Sequence, residues 1–490
     1  MSNPNTPVLV GVGQFLNRID DLDQALEPLE MMLRAVALAE RDTGVGDLLP
    51  KVRSVRVTRG IWSYENPARA IAERIGAVGA ETVGTLIGGN QNQAVVNRTA
   101  DDILAGRVDL VLITGAENGY SANKARKAGR ELVQTQAPGT YDFVIGAAQQ
   151  PEHHEFEVAK GIRQAIQVYP MYDNAIRHAR GETLGEHIER VSGLWARFND
   201  VAQGNPNAWV REDMTAEEIR TASPTNRQIS FPYTKYMNAN MMVDMGAALI
   251  MCSVAKARAL GIAEERWVYP HVGARGYDHF SASVRENFHS SPGIRITGGR
   301  AMELAGIGPD ELDFVDLYSC FPSAVQVAAK ELGLAEDRPL TVTGGLTFGG
   351  GPLNNYVMHS IARMVELLRE KPGGWGLITA NGGNLYKHVH GIYSSAPPET
   401  DFQHINMQDE IDALPSRECL AAYDGEAEIE SYTVMYAADE PAIGHVACLT
   451  PAGQRTWVNT TDRDLMAAMV TEEFCGRPVT LSEDGLTVNA

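Results

Sequence analysis

Two glycine clusters mark the places where this chain could bring backbone N–H groups close to a ligand: Gly88-Gly89-Asn90 within LIGGNQNQ and Gly349-Gly350-Gly351 within TFGGGPLNN. Each precedes a helix-period segment. Glycines at the start of a helix permit close approach, and the helix N-terminus favours negative charge, so either unit suits an oxyanion, a thioester carbonyl or a phosphate. The side chains that could complete such a site lie in nearby turns. Tyr318 opens the turn Tyr318-Ser319-Cys320-Phe321-Pro322. Its phenol must be shifted from an ordinary pKa of about 10 to act as a base at neutral pH, and the alternative is a buried tyrosine with a satisfied hydroxyl. His388 and His390 follow the second glycine turn on alternate positions, and at most one of them is expected to point inward from an extended segment. His388 is taken as the pocket-lining acid/base candidate. Asn354, Asn355 and Asn384 could donate to a carbonyl from the loops. His359 is expected on a helix surface, Cys320 in the core facing away from Tyr318, and His153-His154 with their flanking glutamates on a solvated face without a metal.

The elements that position these groups repeat. From Gly344 to His390 the order is glycine loop, helix (Ile361, Met364, Val365, Leu368 at three- and four-residue steps), short strand Trp375–Ile378 and glycine turn. From Leu86 to Ser121 the same order recurs, with a helix through Val96, Ala100, Ile103 and Leu104, a strand Leu110–Ile113 and a turn at Gly115. Both strands carry Leu-Ile-Thr. The copies are too far apart for a solenoid, whose periods run to about 50 residues, and imply a duplicated domain whose two loops face one pocket.

At 490 residues, 44% hydrophobic and 21% charged, the chain can form two or three globular domains. A formal charge of −20 argues against nucleic acid or an anionic membrane as a partner. No apolar run of membrane-spanning length occurs, and the start lacks a basic leader, so a cytoplasmic location is expected. Five scattered cysteines, none before Cys252, suggest neither a disulfide framework nor a zinc site.

Strand and helix patterns alternate from Pro7, as in βαβ units around a largely parallel sheet. Residues 118–230 interrupt them as a charged helical insertion, and the parallel pattern resumes at VDMGAALI. From about Ala427, short alternating runs separated by turns suggest a small antiparallel barrel.

Four phrases, in this order, resemble the thiolase superfamily: AGRVDLVLITGAENGYS, VDMGAALI, FVDLYSCFPSAVQVAAKELGL and GGGPLNNYVMHSIARMVELL. The resemblance is greatest to sterol-carrier-protein-2-type thiolases and bacterial thiolase-like proteins with an extra C-terminal domain. It implies an α/β, duplicated thiolase fold with two βαβαβαββ halves, a helical loop insertion and a C-terminal OB-like small β-barrel. The corresponding domains are residues 1–117 plus 231–262, the loop domain 118–230, the second half 263–400 and the appended barrel 401–490. It further implies an acyl-CoA-binding, acetyl-CoA acetyltransferase-like protein of lipid metabolism. Coenzyme A or acyl-CoA would be its substrate, with no permanently bound cofactor. Yet the family's nucleophilic cysteine falls near Gly89, its G-H-P histidine on Gly351, its second cysteine near Ala380 and its turn Asn or His on Tyr318. Oxyanion donors would come from Gly88, Gly89, Asn90, Gly350, Gly351 and Asn384. Lys124 and Arg126 would take the CoA phosphates, unless that basic cluster is simply a charged helix surface. Catalysis would pass to Tyr318 and His388, since thiolase-like aldolases are similar in using tyrosine hydroxyls. Carbon–carbon chemistry without a cysteine, retro-aldol cleavage of a β-hydroxyacyl-CoA, and non-catalytic acyl-CoA binding all stay open, as do monomer and homodimer.

Overall fold

The computed structural model describes residues 3–146, 151–482 and 485–489. The duplication is visible in two sheets that share one pattern. In the first, Pro7–Leu16 pairs antiparallel with Asp244–Ser253. That strand pairs antiparallel with Leu110–Asn118, which in turn runs parallel to Ser54–Val57. In the second, Tyr269–Tyr277, Lys387–Ser394, Trp375–Gly382 and Phe314–Asp316 repeat the same order and the same directions. Both sheets are therefore mixed rather than largely parallel. VDMGAALI lies in an antiparallel strand, because its continuous apolar run reports burial on both faces and not strand direction.

The two repeated helices, Gln91–Leu104 and Tyr356–Glu370, lie between these sheets. Val96, Ala100 and Ile103 share a core with Ile361, Val365 and Leu368, with Ile113 and Leu249 of the first sheet, and with Ile378 and Val389 of the second. A helix covered on several sides buries polar residues as well. Arg56 of the first sheet accordingly ion-pairs with Asp102 of the first helix at 2.7 Å with both side chains buried. His359, expected on a surface, is buried too. Its Nδ1 lies 2.8 Å from Gln14 Oε1, and burial holds its imidazole down at about 3. The strand after the first helix runs on through Gly115 to Asn118. Gly115 is thus not a turn but a point where Asn355 packs on bare backbone, its Oδ1 2.4 Å from where a Cβ would sit.

The insertion is helical, with Ala165–Arg180 and Leu184–Gly204 as its long members. Thr183 caps the latter by accepting from Glu186 N–H while Glu186 accepts in return. It also contributes Phe143–Ile145, which extends the edge of the first sheet beside Glu81–Thr85.

The C-terminal segment forms an open sheet in the order Cys419–Leu420, Arg455–Thr460, Glu440–Leu449, Gly425–Ala437, Pro478–Ser482, Gly485–Val488. Among the described residues its end strands do not meet, so the expected closed barrel is not found. Alternation predicts strands; closure depends on tilt and register that alternation does not encode. Gln228–Ser230 of the insertion pairs with the long central strand, and Gln403–Asn406 joins the second sheet beside Tyr269–Tyr277.

Candidate active site

The N-terminus of the helix Gln91–Leu104 points at Gly89, and facing it is the turn that follows Phe314–Asp316. A Cβ built on Gly89 would lie 2.3 Å from Tyr318 Oη and 2.5 Å from the Asn381 carbonyl. The phenol therefore fills the space a side chain at position 89 would need. Tyr318 is fixed at its backbone by Thr379 Oγ1, which accepts from Tyr318 N–H at 2.8 Å, and at its ring by an edge-on contact with Tyr356. Tyr356 in turn bonds to Asp316 at 3.1 Å. Asp316 is fully buried and also accepts from Val342 N–H, Thr341 and Ser360, so one carboxylate joins the turn, the glycine loop and the second central helix.

Burial pushes the Tyr318 phenol well above 10, and neighbouring Cys320 and Tyr356 push it the same way. The shift opposes a role as base: at neutral pH the hydroxyl keeps its proton and can serve as a hydrogen-bond donor. Cys320 is partly buried and packs against the cores on both sides of the turn, and burial pushes its thiol up to about 12. Asn381 lies at the end of the strand Trp375–Gly382. It donates to Tyr169 Oη at 3.0 Å, and its own Oδ1 has no partner among the described residues. Tyr169, from the insertion, stacks on Phe321 at 4.4 Å and closes this side.

The two glycine loops differ in what they leave free. Gly350 N–H donates to the Gly345 carbonyl and Gly351 N–H to the Asn240 carbonyl. Met245 and Trp209 crowd the place where a Cβ on Gly350 would sit. In the first loop, Gly88 N–H donates to Asn354 Oδ1 at 3.1 Å, whereas Gly89 N–H has no partner among the described residues. Asn90, just after it, is fully buried with its Oδ1 unpartnered. The available donors thus gather at Gly89 and Tyr318, and not at Gly350 and Gly351, with the Asn381 carbonyl beside them as an acceptor.

His388 is turned from this point. It and His390 face the outer helix Pro292–Ala305. His388 Nε2 lies 3.1 Å from Asp278 Oδ2 and 3.2 Å from Ser291 Oγ, and His390 Nδ1 lies 3.1 Å from Thr297 Oγ1. Burial opposes ionisation of Asp278, but the bond with His388 and the charge of Arg285 hold its carboxyl at about 2. This Ser-His-Asp group anchors a helix start: Ser291 accepts from Ile294 N–H and Asp278 from Gly293 N–H. The expectation that at most one of the two histidines points inward is not met: both share one face, because residues two apart in a strand lie on the same side. The residue on the opposite face is Lys387.

The remaining candidates lie elsewhere. Lys124 bonds to the Asp20 carbonyl, Arg126 to Asn123, and Arg130 pairs with Asp23, on an outer helix. Asn384 donates to the Glu152 carbonyl, which fastens the second glycine turn to the insertion. His153, rather than lying in solvent, is half-buried against Glu157 at 3.2 Å. Among the described residues, no group of three or more metal-ligating side chains converges.

Glu117, on the strand Leu110–Asn118, carries a further shifted group. Burial pushes its carboxyl up to about 7, against the lowering effects of its bond from Ile61 N–H and of the Arg59 charge. A folded-state value above the unfolded one makes this contribution to stability complete below about pH 4.5, and it is lost as pH rises through 7. Glu117→Gln is expected to flatten the melting temperature between pH 5 and 8 and to raise it at pH 8; an unchanged pH profile would refute the assignment.

Residues 406–486 match the family model for the thiolase-like protein type 1 additional C-terminal domain. A monomeric SCP2-thiolase-like protein type 1 from Mycobacterium smegmatis is 34% identical and superposes with a TM-score of 0.85 over all of both chains. The Ltp2-ChsH2(DUF35) aldolase shares the fold at 19% identity and a TM-score of 0.59, covering 79% of this chain and 98% of its own. Acetyl-CoA acetyltransferase IA of Candida tropicalis is 23% identical over 65% of this chain and 79% of its own length. Duplicated sheets, paired central helices and the added C-terminal sheet together place this chain in the SCP2-thiolase-like protein type 1 family, within the thiolase superfamily.

Proposed function

We propose that the protein binds an acyl-CoA non-covalently and acts on, or presents, the carbon–carbon bond beside the thioester. One observation carries the reading: the Tyr318 hydroxyl stands over Gly89, where the helix start and an unpartnered N–H can meet a thioester oxygen. The first-loop N–H and the neutral phenol form an uncharged donor pair suited to a carbonyl gaining enolate character. A covalent acyl-enzyme has no nucleophile here, since position 89 is glycine and the Cys320 thiol is held protonated.

Two versions follow. Retro-aldol cleavage of a β-hydroxyacyl-CoA is favoured by Tyr318, a donor able to stabilise the departing enolate. Binding without turnover is favoured by the second loop, whose N–H groups at Gly350 and Gly351 are already engaged. The monomeric state of the type 1 relative supports a monomer for this chain as well. Titration with acyl-CoA, followed by the intact mass, tests the shared claim: binding without a covalent adduct.

A further inference from the structure

A surface groove of about 370 Å³ runs along the seam between the helical insertion and the C-terminal sheet, and its lining includes none of the groups around Gly89. Its apolar walls are Leu184 and Ile188 of the helix Leu184–Gly204, Phe231 and Pro232 of the segment that leaves the insertion, and Val470 just past the helix Arg463–Met469. Tyr436, near the end of the strand Gly425–Ala437, adds a half-buried phenol. In a chain of net charge −20 the groove stands out because no carboxylate lines it. The other described grooves carry Asp213, Glu217 and Glu218, or Asp278, Glu27 or Asp412.

The polar groups of this groove are committed to protein partners, with one exception. Arg177 is fully buried and gives Nε and Nη2 to the two oxygens of Glu473 at 2.8 and 2.7 Å. His187 is held between Asp173 at 2.9 Å and Glu182 at 2.8 Å. Gln228 donates its amide to the carbonyls of Ser230 and Tyr233. Arg220 is the exception. It is half-buried at the end of the short helix Ala216–Arg220, and its hydrogen bond is a long one, 3.4 Å from Nη1 to Ser192 Oγ. No carboxylate pairs with it among the described residues. Glu217 and Glu218 of its own helix line the neighbouring acidic groove, and Glu218 closes on Thr215. Ser192 lies one helical turn past Ile188, so the guanidinium sits at one end of the apolar wall. A guanidinium without a carboxylate offers a planar fork of donors that matches one, and the adjoining apolar surface favours a hydrocarbon body.

We propose that this groove binds an apolar monocarboxylate, with Arg220 pairing the carboxylate and Leu184, Ile188, Phe231 and Val470 covering the hydrocarbon. One uncommitted cation balances one negative charge, so a monoanion fits better than a polyphosphate. The site is separate from Gly89 and does not rest on the acyl-CoA reading.

Calorimetric titration of the full chain with octanoate, octanol and octylamine tests the assignment. Octanoate should saturate one site, and octylamine should not bind. Loss of the charged contact is expected to cost about tenfold or more in affinity, both for octanol against octanoate in wild type and for octanoate in Arg220→Gln. Arg220→Lys should keep part of the affinity, and octanol should bind wild type and both variants alike. Leu184→Asp, tolerated at a helix start, places a carboxylate in the groove and should weaken octanoate as well. No octanoate binding at millimolar concentration, equal octanoate affinity in wild type and Arg220→Gln, or octylamine binding as tight as octanoate would each overturn the assignment. So would displacement of octanoate by acetyl-CoA, which would put the carboxylate at Gly89 instead.

Discussion

Arg455→Met is expected to lower the stability of the chain by about 3–5 kcal/mol, the cost of breaking a buried ion pair by removing one partner. Arg455 is fully buried where the C-terminal sheet meets the second thiolase half. Its guanidinium grips both oxygens of Glu430 at 2.6 Å and donates to the carbonyls of Ala282, Ser283 and Arg285. Beside it, Trp457 donates to Ser283 Oγ, and Glu157 of the insertion accepts from Ser283 N–H and Oγ–H. One short segment is therefore held by the C-terminal sheet and the insertion together. Methionine would fill much of the volume but leave Glu430 charged and three carbonyls without a donor. Chemical denaturation should show the midpoint falling with tryptophan fluorescence and far-ultraviolet dichroism in step, since the sheet and its host share these contacts. A change below about 1 kcal/mol, the range of exposed pairs, would show that the docking does not depend on this residue.

Tyr318→Phe should leave the fold intact and remove a donor aimed at Gly89. If the protein cleaves a β-hydroxyacyl-CoA, kcat should fall about 10²–10³-fold, as when one oxyanion donor is lost, with KM little changed. The phenol is held well above 10 by burial, so the wild-type pH–rate profile should show no tyrosine ionisation near neutrality. Undiminished turnover in the variant would remove Tyr318 from the chemistry.

The sequence disclosed the duplication because it is written in local signals. Glycine loops, helical periodicity and the shared Leu-Ile-Thr recur in order, and their helices occupy equivalent central places. Strand direction was not legible at VDMGAALI, since a doubly buried strand shows the same apolar run whether parallel or antiparallel. Nor was closure of the C-terminal sheet, which depends on long-range register. At the site, Tyr318 was visible from its turn. His388 and Lys387 were adjacent letters, and only the register of Gly382 with Lys387 shows which one faces Asn90. The engagement of Gly350 and Gly351 N–H groups was hidden as well, because their acceptors, Gly345 and Asn240, are set by how the loop folds back and by contact with a segment more than a hundred residues away. His359 looked like a surface residue because a helix enclosed between two sheets keeps polar groups on several of its faces.

Non-covalent capture of a CoA thioester at Gly89 underlies the proposed function. Titration calorimetry of the wild-type chain with acetyl-CoA and longer acyl-CoAs, followed by intact-mass measurement of the same samples, tests this most directly. The expected result is saturable one-to-one binding with no added acyl mass, weakened at least about tenfold by Gly89→Ala, whose Cβ would meet Tyr318 Oη at 2.3 Å. Absence of binding at millimolar acyl-CoA, or an acyl adduct on the protein, would contradict it.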